Sequence, residues 1–286
     1  MCSATIKHTV IIISFGFAML ASASLCSCGG DDNKDARNLL NQAETAFNNG
    51  EFDRTLSLTD SIKSAYPKAI EVRREALHLA TRATEGLTLI RLQEADSLTA
   101  VLGALGDSLG RKMKFVKNPI EGYYVASTTE PSKFIGTNGL QARVSPEGDF
   151  YMLSSLKAKS VKSTSVTVSN GTDEARTSIV AYDGERNDRS MGAEVITFIG
   201  AECDSVGKFI SSNVNSPLTL TFNGSTSYSM SLPTAQAKEI ALVYDYASTL
   251  RRFKVASLEK ERLSRALDIA RSQAARTFIE KDSIQD

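Results

Sequence analysis

Two stretches of helical periodicity lie far apart in the chain, with a long segment of strand-like alternation between them, and this pattern allows few architectures. From Ala69 to about Lys114, residues Leu77, Ala80, Leu87, Ile90, Leu98, Val101, Leu102, Leu105 and Leu109 recur at three- and four-residue intervals. From Thr234 to Phe278 the same spacing carries Ile240, Val243, Ala247, Leu250, Leu258, Leu263, Leu267, Ala270 and Ala274. Residues so spaced form one stripe along an α-helix, and an apolar stripe must be buried against a partner. Each run offers the other that partner. The expectation is two long helices packed side by side, antiparallel, carrying the middle of the chain between them. Gly86, Gly103, Gly106 and Gly110 are expected to mark bends or ends of the first helix. Pro233-Thr234 opens the second, with Thr234 placed to cap it.

Between these runs, residues 119–233 change character. Asn-Gly occurs at Asn138-Gly139, Asn170-Gly171 and Asn223-Gly224, each between strand-like runs. The dipeptide tolerates positive φ at both central turn positions and is the strongest short-range hairpin signal. Pro146-Glu147-Gly148-Asp149 joins Leu140–Ser145 to Phe150–Leu156 in the same manner. Further strands are expected at Gly122–Ser127, Glu174–Asp183, Ala193–Ile199, Leu218–Phe222 and Ser225–Leu232, with a short helix over Asp204–Asn213 capped by Asp204 or Ser205. About eight short strands at close spacing predict a mainly antiparallel sandwich or barrel. The fold class is therefore α+β: an N-terminal helical hairpin and two long packed helices, with an inserted antiparallel β-sandwich-like or barrel-like domain.

The helical hairpin occupies Asp35–Ala65. Leu39, Leu40, Ala43, Ala46 and Phe47 precede a break at Asn48-Asn49-Gly50, and Phe52, Leu56, Ile62 and Tyr66 precede Pro67. Gly after the first helix and Pro after the second are stop signals. The spacing of Gly50, Phe52 and Pro67 resembles one tetratricopeptide repeat, which implies a two-helix packing unit. Thr55, Thr59 and Ile62 stand where that family has small or aromatic packing residues, and a continuous solenoid core needs at least three repeats.

The N-terminus sets the expected location. Lys7 and His8 precede an apolar run from Val10 to Leu20, and small residues Ala21-Ser22-Ala23-Ser24 follow. Eleven residues fall well short of the roughly 20 that a membrane-spanning helix needs, so the run reads as a cleaved export signal over 1–27. Leu25-Cys26-Ser27-Cys28 resembles the lipobox of bacterial lipoproteins, with a large aliphatic residue three before the cysteine and a small one directly before it. The resemblance implies cleavage before Cys28, acylation of its sulfur and its new amino group (palmitate among the chains), and a lipid anchor in the cell envelope. Several acyl chains give a stable anchor where one gives marginal binding. Gly29 lacks the aspartate that retains enteric lipoproteins at the inner membrane, so the resemblance implies the outer membrane. Asp31-Asp32 is similar to the export signal of surface lipoproteins in Bacteroidetes, and surface and periplasmic orientations both stay open. The expected organisation is signal 1–27, lipidated tether 28–35, helical region 36–118, β domain 119–233, long C-terminal helix 234–281 and tail 282–286.

Composition narrows the chemistry. Of 33 Lys and Arg only Lys7 precedes Cys28, so the mature chain carries 32 against 33 Asp and Glu, a net charge of −1. There is no basic field to recruit nucleic acid. Cys2 and Cys26 leave with the signal and Cys28 is lipidated, which leaves Cys203 alone and no internal disulfide. His78 is the mature chain's one histidine and sits on a predicted helix, so a Ser/His/Asp or Cys/His triad is not expected. Cys203 reads as a small buried hydrophobe. Zinc is nearly excluded by the shortage of Cys and His.

Asp183, Glu185, Asn187 and Glu194 fall at positions 1, 3, 5 and 12 of a calcium-loop register. Asp188 stands where that loop wants Gly, so a solvated charged hairpin tip is the better reading and no cofactor is expected. Asp149, Asp183, Glu194 and Asp204 are the carboxylates that a glycoside-cleaving pair would draw on. Tyr123, Tyr124, Tyr151, Tyr182 and Tyr228 are the aromatics that a sugar site would use in the absence of Trp. The favoured reading is a non-catalytic interaction or assembly component of the envelope, held to the membrane by its lipid and meeting an envelope protein. A ligand- or glycan-binding module is the alternative, and a carboxylate-dependent hydrolase the weakest reading.

Overall fold

The computed structural model describes residues 32–118 and 122–282, with side chains through 277. The export segment, Cys28 and the 283–286 tail lie outside the described residues.

Helix α1 spans Asp32–Asn48 and α2 spans Phe52–Ala65. α1 thus begins inside the stretch expected to be tether, where Asp32 and Asp35 place negative charge on the positive end of the helix dipole. Gly50, at φ +76°, takes the left-handed conformation that ends α1 and returns the chain into α2. Leu40, Ala43, Ile62, Val72, Ala76 and Leu79 form the buried core between α1, α2 and the start of the third helix. Each large aliphatic side chain there contributes about 1.5–3 kcal/mol by leaving water. Thr55 and Thr59 fill packing positions in the hairpin, their hydroxyls returned to the carbonyls of Glu51 (3.1 Å) and Leu56 (2.9 Å).

The third helix, α3, runs without interruption over Ile70–Gly110. The expectation that its glycines mark bends is corrected for Gly86, Gly103 and Gly106, which lie within the unbroken helix, the first two at points of close approach. A Cβ at Gly86 would lie 2.5 Å from the Phe52 ring of α2. At Gly103 a Cβ would touch Phe253 at 3.4 Å, and at Gly110, which ends the helix, Tyr246 at 3.5 Å. Both aromatics belong to α5, Thr234–Asp282. The other contacts keep the same order. Asp96 pairs with Lys260, Glu85 with Arg271 at 3.4 Å, and Thr81 bonds Thr277 at 3.0 Å. As the number rises along α3 it falls along α5, so the two long helices pack antiparallel, as their stripes require.

Strand β1, Met113–Val116, follows α3 after two residues, inside the region expected to be helical. It pairs antiparallel with β2, Tyr123–Ala126. With β3 (Gly139–Val144), β4 (Phe150–Leu156), β7 (Asn187–Asp188) and β8 (Glu194–Ile199) they form an antiparallel sheet ordered β1-β2-β3-β4-β8-β7. A second sheet, ordered β10-β9-β5-β6, holds β5 (Ser165–Ser169), β6 (Glu174–Arg176), β9 (Leu218–Asn223) and β10 (Ser227–Leu232). Neither sheet closes into a barrel, since each ends in two edge strands among the described residues.

Three local expectations need correction. Asn138-Gly139 is no hairpin turn: the Asn138 side chain accepts the amides of Lys157 (2.7 Å) and Ala158 (3.0 Å), tying the start of β3 to the end of β4. The strand expected over Glu174–Asp183 stops at Arg176, beyond which the chain is held by isolated bonds such as Val180 N–H to Thr164 O at 2.8 Å. Helix α4, Asp204–Ser212, starts from Cys203 with no side-chain cap. Asp204 is drawn instead to Arg251 of α5 (3.1 Å), and the Ser205 hydroxyl to the Arg176 carbonyl (3.1 Å).

The inward residues of both sheets share one core with α4 and the first turns of α5. Phe150, Met152 and Phe198 come from the first sheet, Leu220 and Phe222 from the second, Ile210 from α4, and Ile240 and Val243 from α5. Gly207 lets α4 reach the edge-to-face pair of Phe150 and Tyr244, whose ring centres lie 5.3 Å apart.

Candidate functional site

The carboxylates weighed for catalysis or metal binding are engaged in structural bonds. Glu194 is buried at 4 % exposure and accepts four hydrogen bonds. The Ser160 and Ser163 hydroxyls donate at 2.7 Å each, and the amides of Lys162 and Ser163 at 2.7 and 2.8 Å. Burial alone would raise its carboxyl pKa, yet the bonds from Ser163, Ser160 and Lys162 outweigh burial and hold it below the usual carboxylate range. Asp183 spends its lone pairs on the amides of Glu185 and Asn187 at 2.9 Å, which pins its own exposed turn. Asn187 points inward and donates to the carbonyls of Ser163 and Val180. The calcium register is therefore not assembled, and among the described residues no three His, Cys, Asp or Glu side chains gather to hold a metal ion. β8 runs about 17 Å from Glu194 to Ile199 at ~3.4 Å per residue, and Asp204 lies beyond the far end, bonded to Arg251. Asp149 caps its own turn against Ser145 (3.2 Å).

His78 lies on the α3–α5 contact, with Nδ1 3.2 Å from the Thr277 hydroxyl. Cys203 is fully buried, and its thiol lies 3.5 Å from the Gly200 carbonyl. Burial, with Asp204 and Glu202 adding to it, pushes the thiol pKa up to about 12. At pH 8 about one Cys203 in 10⁴ is then thiolate, and the thiolate is the nucleophile. A thiol reagent should therefore leave the native chain unlabelled at this position and react in denaturant. Fast labelling of the native wild type that is absent from Cys203→Ala would contradict this.

Of the five tyrosines weighed for a sugar site, three are used in other contacts and two share a cavity. Tyr124 stacks edge-on to Tyr246 of α5 (5.9 Å), Tyr228 packs on Phe222, and Tyr182 lies under Arg189. Tyr123 and Tyr151 line a cavity of about 250 Å³ on the outer face of the first sheet, beside Arg143 and Leu153. Arg143 lies over the Tyr123 ring at 4.3 Å and bonds Gln141, and burial lowers its pKa. That volume is below the roughly 300–1,000 Å³ of ligand sites.

The surface without a structural explanation is on the long helices. Leu77, Ile90, Leu98, Val101 and Leu105, all expected to be core, are exposed, while Leu102 of the same stripe and Ala95 beside it are buried. The apolar stripe is wider than one partner helix can cover. Beside it on α5, Val255 is 68 % exposed. A groove of about 690 Å³ runs between the helices, floored by Ala95, Leu98, Leu102, Val255, Ala256 and Leu263 and rimmed by Arg91, Glu94, Arg251, Arg252 and Glu259. Val101 and Leu105, three and seven residues past Leu98, continue the strip on the same side of α3. Monomeric proteins rarely leave contiguous apolar strips of this kind open, and a charged rim around one marks a docking face.

No protein-family model, no curated protein and no solved structure matches this chain. Among the described residues no helix is long and apolar enough to cross a membrane.

Proposed function

We propose that this chain is a lipid-anchored, non-catalytic assembly component of a bacterial outer envelope, docking a protein through the apolar groove of the α3/α5 arm. The carrying observation is that groove: exposed leucine and valine side chains on two packed helices with a charged rim. The lipobox-like Leu25-Cys26-Ser27-Cys28 supports the anchor, and the spending of Glu194, Asp183 and Asp149 on structural hydrogen bonds supports a binding role over hydrolysis. The two sheets that share one core support a sandwich-like reading of the β domain.

A photoreactive amino acid at Val255, compared in cells with one at Ile179, tests the docking face. Both positions are exposed and apolar, but Ile179 lies away from the groove. A discrete protein adduct from Val255 and none from Ile179 is expected. Equal, diffuse labelling at both positions would sink the proposal. Cys28→Ala should in parallel move the chain out of the membrane fraction.

A further inference from the structure

A second groove, of about 660 Å³, opens between α2 and the first turns of α3 and shares no lining residue with the α3/α5 groove. Its apolar part is Leu56, Ile70 and Leu77, of which Ile70 is 58 % and Leu77 56 % exposed. Its charged part is Lys63, Arg73 and Arg74 against Asp60. Glu71 bonds Arg74 at 3.3 Å, so three cations face two carboxylates and one positive charge is left over. Among the described residues neither Lys63 nor Arg73 is in an ion pair. Arg73 spends Nη1 on the Pro67 carbonyl (2.9 Å), and its Nε has no hydrogen-bond partner. A groove so lined suits a short segment that brings one aliphatic side chain and one carboxylate.

α5 leads such a segment to it. The α3-facing positions of α5 recur at three and four residues: Lys260 pairs with Asp96, Leu263, Leu267 and Ala270 are buried, and Thr277 bonds Thr81. The next places in that series are 281 and 284, and the helix runs on to Asp282. Ile284 therefore holds the next apolar place on the stripe. The Thr277 hydroxyl lies 3.0 Å from that of Thr81 and 3.2 Å from His78 Nδ1, which sets it level with about residue 80 of α3. In the antiparallel register position 284, ~10 Å further along at 1.5 Å per residue, is level with about residue 73, between Leu77 and Ile70.

We propose that this groove is the seat of the chain's own segment 283–286, with Ile284 between Ile70 and Leu77 and the Asp286 carboxylate on Arg73 and Lys63. Four residues span up to about 14 Å when extended, enough to cross between neighbouring helices whose axes lie about 8–10 Å apart. A segment tethered at the mouth of its groove has an effective concentration in the millimolar range, which favours it over a free peptide of like sequence. Seated there, it ties α2 directly to the end of α5 and covers aliphatic side chains that the hairpin leaves open.

Disulfide trapping in the full chain, in detergent, tests this with the pair Ile70→Cys and Ile284→Cys against the pair Leu98→Cys and Ile284→Cys. Leu98 lies about 38 Å along α3 from residue 73. Ile70 and Leu98 are both exposed, so the fold accepts either replacement, and the buried Cys203 does not compete. Under a mild oxidant the 70–284 pair should close within one chain at least about tenfold faster than the 98–284 pair, read by peptide mass spectrometry. Adding Asp286→Lys should slow that closure about threefold or more. Equal rates for the two pairs, or a 70–284 rate that Asp286→Lys leaves unchanged, overturn the proposal. A 70–284 disulfide found only between two chains overturns it as well and gives the groove to a second copy.

Discussion

Replacing Glu194 by Ala should lower the unfolding free energy of the chain by about 4 kcal/mol, measured as a shift in urea midpoint at unchanged slope. The substitution strands the buried hydroxyl and amide of Ser163 and removes the acceptor of the Ser160 hydroxyl and the Lys162 amide. Four donors lose their acceptor together, two of them buried, so the cost exceeds that of one ordinary hydrogen bond. The carboxylate also carries a pH signature. Its folded pKa is depressed below the unfolded value of about 4.5, so its stabilisation is present above that value. It is lost as the pH falls through the lower folded value. Wild type should therefore lose stability in acid more steeply than Glu194→Gln, which has no charge there to neutralise. A loss below about 1 kcal/mol on Glu194→Ala would mean that the loop can reach water without Glu194.

Gly224→Ala should cost about 3 kcal/mol, although it adds only a methyl group. The added Cβ would lie 2.3 Å from the carbonyl oxygens of both Val161 and Lys162. These are backbone atoms, fixed on the far side by Glu194 and on the near side by the Ser225 amide and hydroxyl on Val161 O (2.9 and 3.0 Å). A flexible side chain could move aside, whereas here two pieces of chain must part. Lys162 itself has φ +54°, a left-handed conformation that costs a non-glycine residue about 1 kcal/mol and that its neighbours hold in place. Chemical unfolding of the variant measures the effect, and a stability equal to wild type would show that the Asn223-Gly224 hairpin lifts freely from residues 161–162.

How much of this was legible follows the range of the interactions. The long helices and their antiparallel pairing could be read because a stripe of Leu and Ala is local, and two stripes without other partners must meet. The hairpins at Asn170-Gly171, Asn223-Gly224 and Pro146–Asp149 could be read because a tight turn is chosen by its own residues. Asn138-Gly139 carried the same letters and a different role, since its side chain is used by residues about twenty positions onward. Gly86 and Gly103 were misread because a helix bend and a close helix approach both ask for a missing Cβ, whereas Gly110 does end α3. The Glu194 hub left no local trace, as all its donors lie 31 to 34 residues away. The candidate docking face was half legible. The apolar positions stood in the sequence, but only the single helix laid against them shows which ones stay open.

α5 is held at one end in the β core by Ala237, Ile240, Val243 and Ala247, and at the other it packs along α3 through Leu263 and Leu267. α3 in turn enters β1 after only Arg111 and Lys112. No pivot separates the two ends of the molecule, so it behaves mechanically as a strut. Whatever grips the α1 end carries the β body at a set standoff, about 60 Å over the length of α3.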